Sequence, residues 1–205
     1  MTRTAVITGL GATTPIGGDV PTFWSHALQG VSGARTMEHD WVEKYELPVT
    51  FAAELAVPTS EVLSKVEQKR QDPATQMATV AAREAWKDAG LEGAEVDGDR
   101  LAVAFGTGIG GVWTLLDGWD TLRERGPRRV LPMTVPMLMP NGAAGALSLE
   151  FGARAGAAHV HAACRAIERG PFHLHLGTRL PLSQIAGAAQ ALAGHHLGRI
   201  VLDVP

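Results

Sequence analysis

Apolar residues in this chain fall into two alternating patterns: short continuous runs closed by glycine, and longer stretches in which they recur at helical spacing. Ala5-Val6-Ile7-Thr8-Gly9 is a β-branched run stopped by glycine, which predicts a buried first strand. The stretch from Gly9 to Gly18, holding Pro15, reads as a loop. Phe23, Trp24, Ala27 and Leu28 then share one helical face, predicting a helix over residues 21–28 that ends at Gly30 and Gly33. Residues 36–60 mix Trp41, Tyr45, Pro48 and Pro58 with scattered charges, and predict an irregular excursion with one strand near residues 49–55.

From Asp72 onward the pattern sharpens. Asp72 before Pro73 suits an N-cap followed by proline at the first helical position, and Met77, Val80, Ala81, Ala85 and Ala89 repeat along one face until Gly90. Leu101-Ala102-Val103-Ala104-Phe105 suits a strand covered on both faces, and it breaks into Gly106-Thr107-Gly108-Ile109-Gly110-Gly111 before a further helix over residues 112–122. Residues 143–149 predict a helix of small residues that packs close to another backbone. Strand and helix in alternation predict an α/β layered fold with parallel strands buried between helices. Near the C-terminus, Leu180 to Leu192 has amphipathic helical spacing, and residues 198–203 read as a closing strand.

Composition narrows the partners. The 205 residues carry a formal charge of -3, whereas a dedicated nucleic-acid or anionic-membrane binder needs a basic surplus, so neither is expected. No run approaches the roughly 18 apolar residues of a membrane span, and Met1-Thr2-Arg3-Thr4 shows no signal-peptide pattern, so a soluble, cytoplasmic protein is expected. Its partner should be a small molecule or a protein. The single cysteine, Cys164, cannot form an internal disulfide, leaving a buried thiol or a lone nucleophile.

Gly106-x-Gly108-x-x-Gly111 formally satisfies the dinucleotide fingerprint, in which a glycine turn cradles a pyrophosphate at a helix N-terminus. That reading also needs an acidic residue about 20 positions on to hold a ribose hydroxyl. The corresponding window, Arg123-Glu124-Arg125-Gly126-Pro127-Arg128-Arg129, is turn-like and basic. A tight glycine turn is therefore expected and no cofactor, with a nicotinamide-dependent oxidoreductase as the rival. His159-x-His161 and His173-x-His175 could each lie on one strand face, but no third ligand accompanies them, and no metal is expected. Cys164 follows an extended stretch and precedes Arg165-Ala166-Ile167-Glu168, which could start a helix. Peptide dipoles at such a position favour a thiolate, although activation also calls for a base that the sequence does not reveal.

Taken in order, several short segments resemble the elongation-type β-ketoacyl-acyl carrier protein synthases of the thiolase-fold superfamily. They are Val6-Ile7-Thr8-Gly9-Leu10-Gly11 with Pro15-Ile16-Gly17, Phe23-Trp24 with Gly30-x-Ser32-Gly33, and Ala81-Ala82-x-Glu84-Ala85 with Asp88-Ala89-Gly90. The glycine loop 106–111, then Val135-Pro136, Asn141, Leu147-Ser148, Gly152 and Ala163-Cys164, complete the series. The resemblance covers residues 1–164 and implies a thiolase-like N-terminal half, a layered α/β unit with a mixed, mostly parallel sheet, incomplete in this chain. It further implies that Cys164 is the acyl-accepting nucleophile, that Ile109 lines the acyl-chain pocket, and that the glycine loop is structural. The implied reaction is acyl transfer to Cys164 followed by decarboxylative Claisen condensation with malonyl-acyl carrier protein, in fatty acid or polyketide synthesis.

Two departures accompany the match. Arg165-Ala166-Ile167-Glu168-Arg169 stands where the family continues with a small-residue run. The family's catalytic histidines, lysine and glycine-rich phenylalanine loop, which belong to its second half, have no counterpart among the 205 residues. Residues 165–205 instead resemble the C-terminus of quinone-oxidoreductase-type medium-chain dehydrogenase/reductases, which implies an unrelated tail of a helix plus a terminal strand. A half-unit of this kind is expected to expose apolar surface and to associate, as a homodimer or with a full-length synthase, besides meeting acyl carrier protein and its acyl and malonyl thioesters. A non-catalytic fragment that only associates with a synthase is the other alternative.

Overall fold

The computed structural model describes residues 6–156 and, as backbone, the strand segments 176–181 and 199–203. Its centre is helix α5 (Pro73–Asp88), whose start is fixed by Asp72: the side chain accepts a hydrogen bond from the Ala74 amide, and Pro73 opens the helix. Before it come α1 (Val20–Gln29), β1 (Arg35–Thr36), α2 (Asp40–Lys44), β2 (Phe51–Ala52), α3 (Thr59–Val62) and α4 (Lys65–Arg70). After it come α6 (Val112–Arg125), α7 (Thr134–Leu138) and α8 (Gly142–Phe151), then the strands β3 (Leu176–Pro181) and β4 (Arg199–Asp203). The four longer predicted helices are all present within a few residues of their expected ends. α1 is capped by Asp19 on the Thr22 amide and closed by Gly30 in the left-handed region at φ 69°.

Two faces of α5 do different work. Thr75, Ala78 and Thr79 are buried, and Ala78 packs with Ala143 and Leu147 of α8, flanked by Ala82, Val103 and Phe151. This small-residue contact is the expected close approach of α8 to another helix. The second face carries Ala81, Ala85 and Ala89, against which the backbone of Gly9 and Gly11 lies: a Cβ on Gly11 would run into the Ala81 carbonyl and the Ala85 amide. Met77, expected on the buried face, is exposed instead, because the helix meets α8 through its Thr75-Ala78-Thr79 side.

The predicted strands fare differently from the helices. β2 lies inside the expected 49–55 window and pairs antiparallel with β1, a hairpin-like pairing the sequence pattern did not announce. Neither residues 6–9 nor residues 101–105 form a strand ladder. A buried strand needs partners on its edges and cover on both faces. Here the 6–12 segment is covered by α5 on one side only, leaving Val6 and Ile7 exposed. An open cleft of about 320 Å³, lined by Thr8 and Gly9 as well as Leu101, Ala102, Val103 and Ala104, lies between the two segments. Backbone donors of the first segment turn to carboxylates of α5: Leu10 N–H donates to Asp88 Oδ2, and Ala12 N–H to Glu84 Oε2, both at 2.8 Å. Among the described residues the only ladders are therefore β1–β2 and the parallel pair β3–β4.

β4 is the predicted closing strand. Leu180 and Pro181, expected to open a helix, belong to β3, because Leu176–Pro181 pairs in parallel with Arg199–Asp203. The remainder of that expected helix lies outside the described residues. No helix among the described residues is long and apolar enough to cross a membrane.

Candidate functional site

The glycine loop 106–111 sits between α5 and the segment around α7, and its shape follows from what presses on it. Thr107 Oγ1 accepts from the Gly110 amide at 2.6 Å, folding the loop back on itself. Gly110 takes φ 88°, a region that disfavours any side chain, and a Cβ there would also meet the Leu138 carbonyl. Gly111 N–H then donates to Leu138 O at 3.0 Å. A Cβ on Gly111 would lie 2.9 Å from the Asp72 carboxylate, so only glycine admits that carboxylate to the start of α6.

Asp72 is 2% exposed and is shared between two helices. Its Oδ1 accepts from Ala74 N–H at 2.9 Å, and its Oδ2 accepts from Thr114 N–H at 3.1 Å and Thr114 Oγ1–H at 2.7 Å. The second oxygen thus occupies the N-terminal end of α6, the place where the dinucleotide fingerprint would seat a pyrophosphate. An anion already bound there by the protein's own chain argues against a phosphate cradle, and the loop is filled by a carboxylate and a neighbouring backbone.

Beyond the loop a cavity of about 450 Å³ opens between α7 and α8. Met133, Pro136, Met137, Met139, Ala146 and Leu149 make its walls apolar, with Arg70, Gln71, Asp72 and Asn141 among its polar residues. A second cavity of about 310 Å³ lies beside it, lined by Trp113, Thr114 and Met137 with Lys69 and Arg129. Apolar walls with a few convergent polar groups suit an aliphatic chain carrying a polar or anionic end. Flexible methionines let such walls adapt to different chain shapes.

The frame around the cavity is held by charge. Arg83 of α5 pairs with Glu67 of α4 and Glu150 of α8, each at 2.5 Å, joining three helices. Ser64 caps α4 reciprocally with Glu67: its hydroxyl accepts from the Glu67 amide, and the Glu67 carboxylate accepts from the Ser64 amide. The hydrogen bonds from Ser64, together with Arg83, pull the Glu67 carboxyl down from 4.5 to about 2. Glu150, first, and Glu67 push the Arg83 guanidinium above its ordinary value.

The sequence-predicted residues are placed as follows. Ile109 stands on the glycine loop, 74% exposed, and lines neither cavity. Cys164 and both histidine pairs, His159 with His161 and His173 with His175, lie outside the described residues. Among the described residues no group of three or more His, Cys, Asp or Glu side chains is arranged to hold a metal. The bridging role of Asp72 was not foreseen: Asp72-Pro73 announces a cap for α5, but the second partner, Thr114, is 42 residues away and leaves no local signal.

Comparison with known proteins fits this arrangement. The family model for the beta-ketoacyl synthase N-terminal domain matches residues 2–166. The 3-oxoacyl-[acyl-carrier-protein] synthase 2 of Mycobacterium bovis is 37% identical over 200 residues, covering 90% of this chain and 48% of the relative. That of Staphylococcus aureus (strain COL) is 38% identical over 198 residues, covering 90% and 47%. Among solved structures, a beta-ketoacyl synthase from Burkholderia phymatum matches with a TM-score of 0.62 and 27% identity, over 76% of this chain and 38% of that one. A type II PKS ketosynthase solved in complex with its acyl-carrier protein matches with a TM-score of 0.56 at 23% identity, over 74% and 40%, a likeness of fold. This chain spans about half the length of the curated relatives it matches. With the family's N-terminal domain matched over most of its length and a thiolase-like half-fold around the glycine loop, the chain belongs to the β-ketoacyl synthase family.

Proposed function

We propose that this chain carries the acyl-accepting half of a β-ketoacyl-acyl carrier protein synthase, with Cys164 as nucleophile. The observation that carries the reading is the family-model match over residues 2–166, which includes Cys164, the chain's one thiol. In the loading step the Cys164 thiolate adds to the carbonyl carbon of an acyl thioester, and the carbon–sulfur bond to the carrier breaks. The carrier's thiol leaves with the proton that Cys164 gave up. In the condensation step a malonyl thioester loses carbon dioxide, and the electron pair left on its α-carbon attacks the acyl-cysteine carbonyl. The bond to Cys164 breaks and its sulfur leaves as the thiolate, ready for another loading step or protonated by water. Of the two steps, loading is the one in which Cys164 itself is the attacking group, and it is the step that the test below reads.

The apolar cavity beside the glycine loop supports an aliphatic acyl chain as substrate; Ile109, exposed on the loop and lining neither cavity, is assigned to the acyl-chain pocket by the family resemblance alone. An acyl carrier protein is the proposed partner; one structural neighbour of similar fold was solved with its own carrier bound. Exposed Trp113, Leu115, Leu116 and Trp119 on α6 support association with a second copy or with a full-length synthase. A layered, mostly parallel sheet belongs to the unit by family resemblance; Ala155 N–H, donating to Leu101 O, brings the chain after α8 to the start of the 101–105 segment. A cytoplasmic location goes with this assignment. In support of a boundary near residue 165 stands the end of the family-model match at 166; against it stands the 90% coverage of the curated alignments, which run further. Intact mass after incubation with an acyl-carrier-protein thioester tests the assignment. The expected result is one acyl adduct on the wild type and none on Cys164→Ala; a folded wild type without adduct overturns it.

A further inference from the structure

We infer that Asp72 is a positioning residue, its two oxygens divided between two helix N-termini so that α5 holds the glycine loop in place. Each oxygen has its own task. Oδ1 caps α5 through Ala74 N–H at 2.9 Å, while Oδ2 takes both donors of Thr114 in the first turn of α6. Both helices point the positive ends of their dipoles at this one carboxylate, which is 2% exposed, and ionised acceptors are the strong ones in such a setting. The contact is also tight. Gly111 leaves room for the carboxylate, and the same residue donates to Leu138 O, so the loop is clamped between Asp72 on one side and the end of α7 on the other. Asp72 also lines the α7–α8 cavity together with Met137 and Met139, so the carboxylate that lies against Gly111 is at once part of the cavity wall. Its bearing on acyl-chain length rests on the ketosynthase reading; the positioning itself does not.

The division of labour makes a specific demand on the side chain. Asparagine retains one acceptor oxygen, enough to cap α5, but it turns an N–H₂ group toward Thr114 N–H. Asp72→Asn therefore releases α6 and the loop while leaving the start of α5 capped. Thr114→Val removes only the hydroxyl contact and acts in the same direction, and Thr114→Ser keeps it.

Hydrogen exchange followed by mass spectrometry on the purified chain, without substrate, reads this directly. Asp72→Asn is expected to speed exchange of amides in residues 107–116 by about tenfold or more, with residues 76–88 within about twofold of wild type. Thr114→Val should show a smaller acceleration in the same peptide, Thr114→Ser none, and the double variant no more than Asp72→Asn alone. Unchanged exchange over residues 107–116 in both Asp72→Asn and Thr114→Val, or equal acceleration in α5 and α6, overturns the inference. The same samples given an acyl thioester separate the two claims: the exchange split without an adduct on any variant refutes the ketosynthase reading and leaves the role of Asp72 standing.

Discussion

Leu147→Ala tests where the core of this half-unit lies. Leu147 is 3% exposed and touches the Ala78 side of α5, with Val103 and Phe151 beside it. The substitution deletes three carbons, whose removal from a buried site costs about 2–3 kcal/mol in transfer free energy. A sealed core adds a cavity penalty that carries some leucine-to-alanine changes to about 5 kcal/mol. Leu147 also lines the cleft of about 320 Å³ that runs past Trp86 and Phe151, so the deleted volume merges with space already open to solvent. The transfer contribution should therefore dominate, and the loss should stay near 2–3 kcal/mol, a fall in Tm of about 5–10 °C for a chain of this size. Urea and thermal unfolding followed by circular dichroism measure it, with Leu149→Ala, 88% exposed on the same helix, as the control expected within about 0.5 kcal/mol. A loss below about 1 kcal/mol would refute the placement of the core between α5 and α8. A loss above about 4 kcal/mol would show the cleft closed in solution.

Glu67 ties stability to acid. Its folded pKa of about 2 lies below its ordinary 4.5, so its contribution is present above pH 4.5 and is lost as the pH falls from there toward 2. Ser64→Ala removes the largest cause of that depression, and urea midpoints taken from pH 5 to pH 2 should fall less steeply than in wild type; an identical slope would count against the capping contact. Gly11→Ala places a Cβ against the Ala81 carbonyl and Ala85 amide, backbone atoms that cannot swing aside, and should cost about 3 kcal/mol or more, read as loss of soluble folded protein or of its cooperative melt. A melt within a few degrees of wild type would show that the 6–12 segment does not lie on α5.

What the chain's pattern made legible was local. Asp72-Pro73 starts α5, Gly30 ends α1, and the small residues after Asn141 form α8, because caps, proline and glycine act within one turn of where they stand. The failures are all of long range. Val6-Ile7 and Leu101 to Phe105 have strand composition, but a strand is completed by neighbours distant in sequence, and here the backbone just after the first run donates to carboxylates of α5 instead, Leu10 to Asp88 and Ala12 to Glu84. Met77 was expected inside and Thr79 was not, since apolar periodicity alone cannot weigh a buried threonine hydroxyl that bonds the Thr75 carbonyl and Gln71. The basic window from Arg123 to Arg129 spoke against a dinucleotide cradle at the glycine loop, but no local signal announced the Asp72 carboxylate that lies against Gly111. Family resemblance gave Ile109 and Cys164 their roles; the described geometry places Ile109 on the loop and does not reach Cys164.

One carboxylate of α5 has a bearing on the order of assembly. Glu84 accepts from Ala12 N–H with one oxygen and from Val20 N–H with the other, each at 2.8 Å, while Asp88 holds Leu10. The first segment of the chain is thus fastened across 64 to 78 residues of sequence by groups near the end of α5. During synthesis from the N-terminus, the amides of Leu10, Ala12 and Val20 lack these acceptors until Glu84 and Asp88 have been made and α5 has wound, and closure over such separations is slow. Val6, Ile7 and Leu10, exposed even in the folded chain, make the nascent N-terminus the stretch where chaperone binding and misassociation should concentrate while that closure is pending.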